Sequence, residues 1–212
     1  MTETDQTPLL ILQNWFSPAF PIGAFSYSSG LETAIHRGDV DGRASLASWL
    51  TISMLHGTAF TDAVFLRAAM ADEDVNDLCL ALCAGAERHR ETTELGAAFI
   101  SVMRQTQAIT LPPSLAYPVA IGMTARQLNL QPKAVLVAFL QAVCMNQISV
   151  AVRAVPIGQI DGQSCLVSLA PVIRQAAVRA IATGVDAVGS FAPGADLCAL
   201  EHETATQRIY RT

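Results

Sequence analysis

The sequence predicts an all-α fold, a single-domain bundle of roughly eight to ten helices. Alanine and leucine are frequent, and both residues favour helices. Glycine or proline recurs at intervals of about 15 to 20 residues, as expected for helices joined by short breaks. Sustained alternation of apolar and polar residues, the mark of a strand, is not evident. Because no linker, repeat or shift in composition marks a boundary, we expect one domain over residues 1–212, with residues 1–8 as a flexible tail.

The first half of the chain contains four segments with helical signals. Apolar residues recur at three- and four-residue spacing in these segments, and hydroxyl residues stand where a helix would need a cap. Pro112 and Pro113 then break the run. The predicted helices run from Ser45, as N-cap, to Gly57; from Thr61, as N-cap; over residues 75–88; and over residues 92–107.

The second half predicts three further helices. One is expected over residues 115–128, and Pro132 stands at a first-turn position that suits proline. The helix that Pro132 opens should end before Pro156. A last long helix should be interrupted or bent at Pro171, and it should present Leu166, Leu169, Ile173, Ala177 and Ile181 before Gly184. Residues 188–196 should form a loop that leads to the terminal segment.

Composition and charge exclude several classes of function. The net charge is −5, and the basic residues do not cluster, so nucleic-acid binding is not expected. Lys133 is the only lysine and follows a proline, which excludes a P-loop nucleotidase. Apolar residues make up 51% of the chain and charged residues only 15%, well below the roughly 25% of an average domain. This balance predicts apolar surface that another chain buries.

The uncharged stretches do not predict a membrane protein. Residues 134–152 approach the roughly 20 residues that span a bilayer, but they include Gln141, Asn146 and Gln147. A buried core helix is the better interpretation. Residues 1–8 carry acidic residues and no basic region, so a secretory signal is not expected. A cytoplasmic location is expected instead.

Neither a metal site nor a catalytic site is predicted. Cys79 and Cys83 share a helical face without a third ligand, and core packing explains them. His202 and Glu203 begin a zincin-like pattern, but Thr206 stands where the second histidine would be, so His202 is interpreted as a surface residue. The charged run from Glu87 to Glu94 is interpreted as a solvated helix face. The alternative to a binding protein is a helical hydrolase that uses a serine of the Ser26–Ser29 segment.

Two segments carry more specific patterns. Residues 17–32 read SPAFPIGAFSYSSGLE, in which prolines and glycines impose a turn before a helix start. Residues 151–163 read AVRAVPIGQIDGQ, in which Arg153 leaves an apolar helix just before a turn. An arginine in such a setting should meet a carboxylate, backbone carbonyls or a partner protein.

These two segments resemble the signatures of the urease accessory protein UreF family, and weaker agreement extends from about Leu9 to Thr212. The resemblance implies an all-helical protein that is not an enzyme and has no cofactor or tightly bound metal of its own. It also implies a homodimer that bridges UreD (also called UreH) and the GTPase UreG on the urease apoprotein, so that nickel is inserted. By the same resemblance, and because Arg and Tyr are favoured at interfaces, the expected partner-binding residues are Ser26, Tyr27, Glu32, Arg208 and Arg211. The expected structural or coupling residues are Pro21, Gly23, Gly30, Arg153, Pro156, Gly158 and Gln159.

Overall fold

The computed structural model describes residues 6–212 and is all-α, as the sequence predicts. Ten α-helices lie in these residues, and short 3₁₀ turns precede the second and the tenth. In chain order the helices are α1 (Thr7–Trp15), α2 (Leu31–His36), α3 (Arg43–His56), α4 (Thr58–Met70), α5 (Asn76–Ala81), α6 (Ala86–Gln107), α7 (Tyr117–Gln127), α8 (Pro132–Ala154), α9 (Gln159–Ala182) and α10 (Pro193–His202).

Helix α4 forms the centre of the bundle. It packs against α3, α7, α8 and α9, and its side chains are buried on nearly all sides. Gly122 of α7 permits the closest approach, because a Cβ atom at this position would overlap the backbone oxygen of Leu66. Aromatic rings fill the space between α1 and α6, where the Trp15 and Phe99 ring centres are 5.3 Å apart, edge to face.

Several predicted helix boundaries were wrong for local reasons. Helix α3 begins before Ser45, whose hydroxyl accepts the N–H groups of Asp41 and Gly42 from inside the first turn. Similarly, Thr61 lies within α4 and does not cap it. The helix predicted over residues 75–88 is divided, because Gly85 adopts a φ of 109° that no helix accommodates.

The predictions made from proline positions had mixed outcomes. Pro132 opens α8, and α8 ends before Pro156, as predicted. Helix α9 runs from Gln159 to Ala182 and continues through Pro171, so the predicted interruption does not occur. Pro193 starts α10 inside the predicted loop, because proline is favoured in a first helical turn. The predicted flexible segment 1–8 overlaps the start of α1 at Thr7 and Pro8, and residues 1–5 lie outside the described residues.

Helices α8 and α9 are long and apolar enough to cross a membrane by length and composition alone. Half of the most apolar 18-residue stretch of α8 is buried inside the protein, so α8 is a core helix. In α9 only a third of the corresponding stretch is buried. Its exposed positions include Ile160, Val167, Val178 and Ile181. Helix α9 therefore exposes several apolar side chains.

Candidate functional site

The C-terminal segment, residues 203–212, folds back against the loop before α2. The Arg211 N–H donates to the Ser26 carbonyl at 2.8 Å, and the Ser28 N–H donates to the Thr212 carbonyl at 3.0 Å. Tyr210 and Thr212 are buried. The C-terminal segment is therefore docked on the fold, which excludes a solvated tail in this conformation.

Glu32 of α2 binds the backbone of the C-terminal segment. Its carboxylate accepts the N–H of Ile209 at 2.8 Å and the N–H of Tyr210 at 3.0 Å. The side chain is only 2% exposed. Burial by itself would raise the pKa of Glu32, but the two N–H donors and His202 outweigh it, and the pKa lies below its ordinary value. Glu32 was predicted to contact a partner protein, yet the docked segment covers it.

His202 and Glu87 form the second attachment of the C-terminal segment. His202 Nδ1 lies 2.7 Å from Glu87 Oε2, and His202 Nε2 lies 3.1 Å from Glu32 Oε2. Arg208 Nη1 donates to Glu87 Oε1 at 2.6 Å. His202 is 1% exposed and Glu87 is also buried, so the predictions of a surface histidine and a solvated glutamate were wrong. Their charged partners lie 115 and more positions away in sequence, which explains the error.

Tyr27 joins the C-terminal segment to α6. Its hydroxyl donates to Glu94 at 2.6 Å and accepts from Arg211 at 3.1 Å. The Arg211 guanidinium also lies 5.3 Å from the Tyr27 ring centre and 2.7 Å from Glu94. Burial and the nearby Glu94 raise the pKa of Tyr27. The side chain is 3% exposed, so a direct contact of Tyr27 with a partner, as predicted, requires movement of its neighbours.

The loop before α2 contacts both α8 and α10. Gln147 donates to the Ser28 carbonyl at 2.7 Å, and Asn146 donates to the Tyr27 carbonyl at 3.1 Å. Gly30 has a φ of 81° and lies against the backbone of α10. Gly23 also has a positive φ, of 76°, where the 3₁₀ turn before α2 begins. Both glycines therefore occupy conformations that other residues rarely adopt.

A buried ionic cluster lies beside this loop. Arg88 Nη2 contacts Asp62 at 2.5 Å, and Arg88 Nη1 contacts Glu91 at 3.4 Å. Burial raises the pKa of both acids, and Arg88 opposes that shift. A cavity of about 130 Å³ is lined by these three residues together with Ser29 and Thr212, among others. The C-terminal segment therefore lines part of this cavity through Thr212.

The end of α8 and the turn that follows it do not join this site. Arg153, Pro156, Gly158 and Gln159 are exposed and make none of the contacts above. Arg153 forms no ion pair or side-chain hydrogen bond with the described residues, so a partner protein stays the open alternative among those predicted for it. An exposed guanidinium is hydrated and needs no internal partner. A coupling role through a partner protein stays a prediction for these residues.

No hydrogen bond joins a serine of the Ser26–Ser29 segment to a histidine among residues 6–212. Ser28 is buried and donates its hydroxyl to the Thr212 carbonyl. The hydroxyl of Ser29 faces Glu91 at 3.4 Å. His202 contacts two glutamates and no serine. No group of three or more potential metal ligands occurs in this part of the chain, and the cysteines in it are free.

Sequence reasoning missed the residues that organise the site. Glu87, Arg88 and Glu91 were interpreted as surface residues, although they recur at helical spacing on one face of α6. Gln147 was recognised only as a polar residue in an apolar helix. A buried amide or carboxylate must be hydrogen-bonded, so polar residues inside apolar helices were the available signal.

Three known proteins similar to this chain carry the same name. The UreF family model matches residues 40–170. A urease accessory protein UreF of Bradyrhizobium sp. (strain BTAi1) is 41% identical, over all of this chain and 95% of the relative. Proteins of the same name are 42% identical in Rhodopseudomonas palustris (strain BisA53), over 95% of this chain and 92% of the relative, and 44% identical in Cereibacter sphaeroides (strain KD131), over 96% and 98%. The chain therefore belongs to the urease accessory protein UreF family.

Proposed function

We propose that the protein is a non-enzymatic assembly factor that bridges UreD/UreH and the GTPase UreG on the urease apoprotein during nickel insertion. It works in the cytoplasm and handles nickel only as part of the assembled complex, without a cofactor of its own. The observation that carries the proposal is the docked C-terminal segment. It brings Tyr27, Arg208 and Arg211 into one cluster, and the family resemblance assigns these residues to partner binding.

The outer side of this cluster suits a protein interface. Arg208 and Arg211 are about half exposed beyond their ion pairs. Between them Ile209 is 78% exposed, and Phe25 projects from the adjoining loop. Arginines beside exposed apolar side chains are typical of interface hot spots. The buried Glu32 and Tyr27 then act by holding this surface in place.

A homodimer fits the remaining apolar surface. Helix α9 exposes Ile160, Val167, Val178 and Ile181, and another chain would bury these side chains favourably. A two-fold dimer would present the C-terminal surface twice, matching a dimeric GTPase.

The decisive test is capture of UreG by the preassembled complex of this protein with UreD. Arg208→Ala, Arg211→Ala and deletion of residues 208–212 should each weaken capture about thirtyfold, as hot-spot truncations do. Arg126→Ala, which removes an exposed ion pair with Asp72, is the matched control. Homodimer and UreD complex should persist in every variant. Undiminished capture by all three variants would remove the C-terminal segment from the interface.

A parallel activity assay tests the non-enzymatic part of the proposal. The purified protein should hydrolyse neither GTP nor model esters. Ester hydrolysis that is lost in Ser26→Ala or Ser29→Ala would support the helical hydrolase instead.

A further inference from the structure

His202 is unusual because each of its ring nitrogens faces a different carboxylate. Nδ1 lies 2.7 Å from Glu87 and Nε2 lies 3.1 Å from Glu32. A neutral imidazole carries one N–H and can donate to only one of these acids, whereas an imidazolium donates to both. The side chain is almost completely buried, so water cannot donate the hydrogen bond that the second carboxylate would then lack.

The charged groups that contact His202 and its two carboxylates balance when the ring is protonated. Glu32 and Glu87 contribute two negative charges, and Arg208 contributes one positive charge. A neutral His202 would leave one buried negative charge without compensation, which is costly. Protonation of Glu32 would remove that charge, but Glu32 already accepts two backbone N–H groups that favour its ionised form.

The same two carboxylates hold the C-terminal segment. The carboxylate of Glu32 binds the N–H groups of Ile209 and Tyr210, and Glu87 binds the Arg208 side chain. His202 therefore contacts both carboxylates that hold the C-terminal segment, and it fixes the orientation of each one. The next residue, Glu203, accepts the backbone N–H of Glu87 at 3.0 Å and braces the start of α6.

We propose that His202 is an imidazolium in the folded protein and is the positioning residue that docks the C-terminal segment, so that docking is linked to one proton. Raising the pH removes this proton, leaves Glu32 and Glu87 uncompensated and releases the segment. Strong acid also weakens docking, because it protonates Glu32. The docked fraction is therefore greatest between these limits. The consequence for GTPase recruitment rests on the proposed function, whereas docking itself does not.

The direct test is NMR of the full-length protein labelled with ¹⁵N. The ring nitrogens of His202 should both carry protons in protein whose C-terminal segment is docked. As the pH rises, loss of one ring proton should coincide with changes in the Ile209 and Tyr210 amide signals. A neutral His202 ring in protein whose C-terminal segment is docked would overturn the proposal, as would deprotonation of His202 without any change at these amides.

A matched pair of variants tests the positioning role. In His202→Gln the new amide can donate to only one carboxylate at a time in this geometry, whereas His89→Gln alters an exposed histidine of α6. At one fixed pH, amide exchange of Ile209 and Tyr210 should be at least about tenfold faster in His202→Gln than in wild type. It should be unchanged in His89→Gln. Equal exchange in all three proteins would overturn the role, and if His202→Gln does not fold, the wild-type titration alone decides.

UreG capture at two pH values separates this inference from the proposed function. Proton-linked docking of the segment with pH-independent capture would contradict only the recruitment role. Capture that needs the segment while His202 is neutral would contradict only the inference.

Discussion

The close contact between Gly30 and α10 allows a stability prediction with an internal control. Gly30 has a φ of 81°, and a Cβ atom there would lie 2.8 Å from the Ala199 nitrogen and 3.1 Å from the Ala195 oxygen. Both are backbone atoms of one helix, so they cannot turn aside as a flexible side chain would. Gly23 has nearly the same φ, of 76°, but no atom lies within 4 Å of its Cβ position.

The two alanine variants should therefore differ by the cost of steric overlap alone. The left-handed conformation costs an alanine roughly 1–2 kcal/mol at either position. Overpacking adds roughly 1–3 kcal/mol at Gly30, because α10 must shift. Gly30→Ala should then lower the free energy of unfolding by roughly 2–5 kcal/mol, and Gly23→Ala by only the first part.

Chemical denaturation of the two variants and wild type measures this difference. In thermal denaturation, each kcal/mol of lost stability lowers Tm by about 2–4 °C for a chain of this size. Because α10 carries His202, Gly30→Ala should also loosen the C-terminal segment, whereas Gly23→Ala should not. Equal destabilisation by the two variants would refute the close packing of Gly30 on α10.

Three further predictions concern charged residues. Arg153→Ala should change the free energy of unfolding by less than about 0.5 kcal/mol, because Arg153 is exposed and unpaired among the described residues. A larger loss of stability in urea denaturation would show an internal partner. Loss of urease activation at unchanged stability would indicate that Arg153 lies on a partner surface. Asp62→Ala should lower the free energy of unfolding by about 3 kcal/mol in the same measurement, because Arg88 then keeps only Glu91 as its partner. A loss as small as that of Arg126→Ala, which breaks an exposed ion pair, would contradict this prediction. Glu32 has a lowered pKa, so it stabilises the fold above its unfolded-state pKa and this contribution is lost as the pH falls through its folded-state pKa. Wild type should therefore exceed Glu32→Gln in stability near neutral pH and lose that advantage in acid, and a pH-independent difference would argue against the carboxylate role.

The two specific segments of the sequence had different outcomes in the structure. The first contains residues that meet the C-terminal segment through Ser26, Tyr27 and Glu32, although Tyr27 and Glu32 are buried and not exposed as expected. The second, around Arg153, stays at the surface. Both patterns were recognised by residue type and order, which carry no information on burial. Whether an arginine or glutamate is solvated depends on which distant segment covers it.

The sequence by itself determined the helical class, the single continuous core and the family of this protein. Alanine content, apolar spacing and proline positions act within one or two helical turns, so local physics is enough to interpret them. Only the tertiary structure decided that His202, Glu87 and Glu32 form one buried network with the C-terminal segment. Those contacts join residues up to 178 positions apart, and a charged residue is stable inside the fold only when such partners arrive together. Their pairing follows from how α2, α6 and α10 pack, and local sequence does not record it.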